Sequence, residues 1–185
     1  MAATDAAGGS LRLFFALWPD EPVRSALAGL TARTTAECGG RAMAASNLHA
    51  TLAFLGNVPQ QRLAEFIALA DALTAEPFAL QLDVVGYWRH NRIVWAGARG
   101  APPTLVRLAL DMKSALQRLD WPVDERPYAP HVTLVRDARR GPASQTAALP
   151  SWSIEDFVLV SSTQGPGGAK YTPLRRWPLL RNAAA

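Results

Sequence analysis

Apolar and polar positions alternate with two different periods along this chain. Leu11 to Trp18 (LRLFFALW) is a compact apolar run closed by Pro19, which reads as a buried strand. Pro19-Asp20-Glu21-Pro22 then opens a helix to about Leu30, with acid and proline where helix entry favours them. Residues 32–45 lack a clear period and are expected to be loop or fraying helix. Asn47 to Leu55 reads as a strand stopped by Gly56-Asn57, and residues 59–73 carry Leu63, Phe66, Ile67 and Ala70 on one helical stripe. Residues 78–88 and 92–98 read as a strand pair turning at 87–91. A helical stripe follows over 104–119, then strands over 128–135, 154–160 and 171–177. Few helices among many strands linked by hairpin-sized turns predict an α+β fold rather than a doubly wound one.

Two of the predicted strands carry the same phrase: His49-Ala50-Thr51-Leu52 and His131-Val132-Thr133-Leu134. They stand 82 positions apart, each after a helix, which predicts an internal duplication with one such strand per half. A strand alternates its faces, so His and Thr two apart point the same way. His49, Thr51 and Ala53 form one face, and Leu48, Ala50, Leu52 and Phe54 form an apolar one expected in the core. In the second strand His131, Thr133 and Val135 oppose Val132 and Leu134. One such phrase alone reads as an ordinary strand surface. Two copies that use two of the chain's 3 histidines read as chemistry.

That chemistry is acid–base. Imidazole titrates near neutrality, so one ring can hold a proton while the other lacks it. Opening a cyclic phosphodiester needs water activated on one side and a leaving oxygen protonated on the other. The Thr51 and Thr133 hydroxyls can donate to phosphate oxygens as negative charge builds. No metal is expected, since two histidines without neighbouring carboxylates make a poor cation site.

Composition narrows the field further. Of 185 residues 49% are hydrophobic and 18% charged, which suits one domain with a real core. The formal charge of +4 favours an anionic partner. Cys38 is the single cysteine, which argues against a disulfide and for a reducing, cytoplasmic setting. No apolar run approaches a membrane span, and residues 1–10 and 182–185 are expected to be loose tails.

The paired phrases, with their surroundings, resemble the two-histidine phosphoesterase superfamily and, within it, the bacterial RNA 2′,3′-cyclic phosphodiesterases, also called LigT-like or 2′-5′ RNA ligase proteins. The resemblance rests on residues 47–56 (NLHATLAFLG) and 130–138 (PHVTLVRDA), supported by 12–16 (RLFFA) and 170–177 (KYTPLRRW). It implies one bilobal domain over 11–181, with two antiparallel sheets facing across a central cleft and helices packed outside. It implies hydrolysis of RNA or nucleoside 2′,3′-cyclic phosphates to 2′-phosphomonoesters, with 2′-5′ ligation as the reverse reaction. Carried over, His49 is the proton donor and His131 the proton acceptor, no cofactor is required, and the partners are RNA or nucleotides with cyclic phosphate ends. A monomer is expected. Close relatives often place a further histidine two residues before the second catalytic one; here that position is Ala129, so such a ring is dispensable.

Secondary candidates surround these residues. Arg136 suits a phosphate, but its odd offset from His131 brings it to the cleft only if the strand bulges or ends first. Phe14 and Tyr171 are candidates to stack on a base, with Phe15 expected in the core. Arg89-His90-Asn91-Arg92, Arg175 and Arg176 are candidate contacts to an RNA backbone. Two rival readings are a nucleotide-binding module without turnover and a phosphodiesterase acting on another cyclic substrate.

Overall fold

A computed structural model describes residues 9–166 and 168–180. Of the tails expected over 1–10 and 182–185, residues 1–8 and 182–185 lie outside the described residues, as do Gly167 and Arg181. Ser10, assigned to the tail, instead begins the first strand and pairs with Pro59.

The elements are β1 (Ser10–Leu17), α1 (Glu21–Cys38), β2 (Arg41–Ala42), β3 (Ala50–Pro59), α2 (Leu63–Asp71), β4 (Phe78–Leu80), β5 (Val84–Trp88), β6 (Ile93–Gly97), α3 (Pro103–Arg118), β7 (His131–Arg136), β8 (Trp152–Ile154), β9 (Asp156–Gly165) and β10 (Gly168–Pro178). Asp20 caps α1 by accepting from Val23 N–H at 3.0 Å. The helix outlasts its expected end at Leu30 and buries Thr31, Thr34 and Cys38 on its far half, where the Thr34 and Thr35 hydroxyls are satisfied by the Leu30 and Thr31 carbonyls, both at 2.7 Å. That lets polar residues occupy helical positions that an apolar period does not mark.

The strands form an antiparallel sheet ordered β10-β9-β1-β3-β7-β6-β5, with β2 beside β7, and a separate pair β4-β8. The expected strand over 78–88 therefore splits. Its first part pairs with β8, and Asp83 at the break accepts from the Arg99 backbone and side chain. The large sheet is itself two four-stranded halves. They meet at one residue pair, Ala50 with Val132, where β3 runs antiparallel to β7.

That pair is the centre of the duplication. Ala50 and Val132 each follow the histidine of their phrase, so a local two-fold axis passes between them. The neighbouring registers obey it: Phe15, Ala16 and Leu17 face Ala53, Thr51 and Ala50, as Val94, Trp95 and Ala96 face Val135, Thr133 and Val132. The helices obey it as well, for α1 packs on β7 and α3 on β3, so each covers the other half's central strand. One continuous core lies on that side.

Gly86 lies beneath the Trp95 ring, where a Cβ would stand 2.0 Å from ring carbon Cζ2. Gly86→Ala should therefore cost about 1–3 kcal/mol of stability, read by chemical denaturation.

Candidate active site

Both halves break their strand alternation at the same place. The β1–β3 register skips Leu52 and the β6–β7 register skips Leu134, the leucine of each phrase. Such a bulge lets two successive residues turn to one side. Leu134 and Val135 are both buried in the core, and Ala53 packs against it. The residue after the bulge then swings to the opposite face. This corrects the expected face of Ala53, Phe54 and Val135: Phe54 is 52% exposed and lines the cleft rather than the core. Its counterpart Arg136 lines the cleft too, so the odd offset from His131 is cancelled by the bulge.

The cleft has a volume of about 880 Å³ and lies between the halves, on the face away from the main core. His49, Thr51, His131 and Thr133 all line it. This follows from the central pair: Ala50 and Val132 are fully buried, so their neighbours in sequence face the other way.

Each imidazole is held by the same device. His49 Nδ1 lies 2.7 Å from the Asn47 carbonyl and His131 Nδ1 lies 2.9 Å from the Ala129 carbonyl, in both cases two residues back. A carbonyl accepts only, so Nδ1 carries hydrogen and Nε2 is left for the cleft. His49 Nε2 then accepts from the Thr51 hydroxyl at 3.1 Å. Because the second anchor is backbone, alanine serves at position 129.

The surroundings differ between the rings. His49 stacks on Trp18 with centroids 5.6 Å apart and touches Phe14 at 4.8 Å and Tyr171 at 5.2 Å. His131 has Trp88 edge-on at 4.6 Å. Burial pushes the His49 pKa down to about 4, opposed by the Asn47 carbonyl and reinforced by the charges of His131 and Arg136. Burial lowers His131 as well, opposed by the Ala129 carbonyl and reinforced by Arg126. His49, with two cations and three rings around it, is the harder of the two to charge.

Arg12, Arg41 and Arg136 line the cleft, and among the described residues no carboxylate does. Arg41 and Arg136 are direct cross-strand partners, with Arg41 also 3.9 Å from the Asp137 carboxylate. Among the described residues no cluster of three His, Cys, Asp or Glu side chains is placed to hold a metal ion, and no helix is long and apolar enough to cross a membrane.

The remaining candidates divide. Tyr171 lines the cleft half-buried. Phe14 lines it but is only 3% exposed, with its ring against His49 and Tyr171. Phe15 is core. Arg89, His90 and Arg92 sit at an exposed turn, while Arg175 and Arg176 pair with Asp71 and Asp156. Six cleft or ring-contact residues are not among the site candidates read from the sequence: Arg12, Trp18, Arg41, Asn47, Phe54 and Trp88. Asn47 is buried and joins the site's parts. Its amide donates to Ala169 O at 2.6 Å and its carbonyl accepts from Tyr171 N–H at 3.4 Å, tying the β9–β10 hairpin to the approach of His49. Its signal in the sequence was its place two residues before the first histidine.

Fold and cleft together define a bilobal protein with two imidazoles in one arginine-lined cleft. The profile of a family described as LigT like Phosphoesterase matches residues 17–95. An RNA 2′,3′-cyclic phosphodiesterase of Escherichia coli (strain K12) is 36% identical over 92% of this chain and 97% of its own length. One from Thermus thermophilus is 31% identical over 91% and 90%. The crystal structure of E. coli LigT complexed with 3′-AMP superposes with a TM-score of 0.85 at 35% identity, covering 93% of this chain and 99% of that one. The chain belongs to the LigT-like phosphoesterase family.

The depressed His49 pKa has a sign. The unfolded chain, with an imidazole near 6.5, takes up a proton before the folded state does at about 4. Stability should therefore rise with pH between about 4 and 6.5 and level off above, with His49 supplying of order 1–3 kcal/mol of the change. Thermal unfolding across that window should show a shallower slope for His49→Gln.

Proposed function

We propose that this protein hydrolyses RNA and nucleoside 2′,3′-cyclic phosphodiesters to 2′-phosphomonoesters by paired imidazoles, without a metal ion. The observation that carries this reading is the pair of imidazoles presenting Nε2 to one cationic cleft from strands related by a two-fold axis. The names of the relatives and the 3′-AMP complex of E. coli LigT support the substrate class.

The roles follow from proton affinity. His131 Nε2 accepts a proton from water as the water oxygen attacks phosphorus. The bond from phosphorus to the 3′-oxygen breaks, and that oxygen takes the proton carried on His49 Nε2. The product is a 2′-phosphate with a free 3′-hydroxyl. A reluctant cation is a strong acid, which suits His49 as donor. The ring with fewer repelling neighbours is the better base, which suits His131. Thr51 and Thr133 donate to the non-bridging oxygens, and Arg136 balances their charge. Phe14 holds His49 in place through ring contact, and Tyr171 offers a ring to the terminal base. When a 5′-hydroxyl takes the place of water as the attacking group, the same P–O3′ bond breaks and the product is a 2′-5′ linkage with a free 3′-hydroxyl. Residues 11–181 act as one monomeric catalytic domain, and the buried free thiol of Cys38 supports a reducing, cytoplasmic setting.

Incubation with 2′,3′-cyclic AMP in EDTA should give the 2′-phosphate isomer, identified by chromatography. A 3′-phosphate, or loss of activity on chelation, overturns the mechanism; binding without product favours a non-catalytic module. His49→Ala and His131→Ala should each lower kcat about 10²–10⁴-fold. The pH profile of kcat/KM should be a bell lying below the ordinary imidazole range, because both pKa values are lowered.

A further inference from the structure

The phosphate chemistry leaves one cleft feature unused. Phe54 is exposed, and it is the only aromatic among the described large apolar side chains that are strongly exposed. Its ring does not reach the cleft by default, since strict alternation would bury it. The bulge at Leu52 puts it there, at the position equivalent to Arg136 in the other half. The Arg12 guanidinium lies over this ring, 4.9 Å from its centroid, and also lines the cleft.

Position decides what such a pair can bind. Because β3 and β7 are antiparallel, Arg136 lies toward His49 and Phe54 toward the opposite end of the cleft. Phe54 is four residues beyond the central pair, roughly 13 Å of strand. Tyr171 and Trp88 line the cleft in contact with the imidazoles themselves. Phe54 stands one step further out. An exposed ring offers a face to any base, and a guanidinium offers charge to the phosphate joining two nucleotides.

We propose that Phe54 and Arg12 form a second nucleotide subsite, in which the ring stacks on the base 5′ to the cyclic end and the guanidinium binds the intervening phosphate. The subsite rests on the reading of the cleft as a site for RNA 2′,3′-cyclic ends, and it makes an RNA end a better substrate than a mononucleotide.

The test compares 2′,3′-cyclic AMP with the dinucleotide ApA ending in a 2′,3′-cyclic phosphate. The wild-type protein should show the higher kcat/KM on the dinucleotide. Phe54→Ala should lose about tenfold or more on the dinucleotide and stay within about twofold on the mononucleotide, in the range expected for removing one stacking ring. Phe54→Trp should restore the preference, and Arg12→Gln should weaken it. Equal loss on both substrates, or loss on neither, overturns the subsite. A readout without turnover separates this from the activity: titration of 3′-AMP and of ApA 3′-phosphate, followed by tryptophan fluorescence. A Phe54→Ala defect confined to the dinucleotide supports the subsite even if neither cyclic substrate is cleaved, a result that would overturn the proposed hydrolysis alone.

Discussion

The cleft depends on one hydrogen-bonded contact, the pairing of Ala50 with Val132. When two equivalent residues of a duplicated chain pair antiparallel, a two-fold axis passes between them, and the neighbouring residues of the duplicated strands acquire counterparts across it. The histidine before each member of the pair must then lie on the cleft face, since the pair itself is buried in the core. Side chains 82 positions apart in sequence are thus brought to one site by a single register. A slip of one residue would turn both imidazoles into the apolar layer.

The repeated phrase therefore encodes more than chemistry. Its histidine and threonine occupy the cleft face, while its leucine is where the strand bulges in both halves. The bulge converts an odd spacing from the histidine into cleft-facing geometry. It opens a position that an unbroken strand would have buried, and the two halves fill that position with different side chains, Phe54 and Arg136.

The histidines and threonines, the α+β character and the duplication were legible because each rests on a period or a repeat. Phe54 was misread as core because periodicity assumes an unbroken strand, and a bulge leaves no mark in composition. The position of Arg136 hung on the same hidden event. The far half of α1 was obscured by threonines whose hydroxyls are satisfied inside the helix. Trp18 and Trp88 reach the imidazoles through ring contacts, and the Asn47 side chain reaches the β9–β10 hairpin across more than 120 positions; local sequence carries no account of those.

Symmetry also poses a problem for acid–base catalysis, because two equivalent imidazoles would have equal proton affinities. The reaction proposed for this cleft needs them unequal. What separates them lies largely outside the duplicated strands. Trp18 follows β1, Tyr171 arrives on the β9–β10 hairpin, and Arg136 fills the position that Phe54 fills in the other half. These groups bury one ring more deeply and surround it with more positive charge. Asn47 secures the arrangement by bonding the hairpin to the segment before His49. The duplicated core thus brings two like groups together, and the proposed division into acid and base rests on the additions around it.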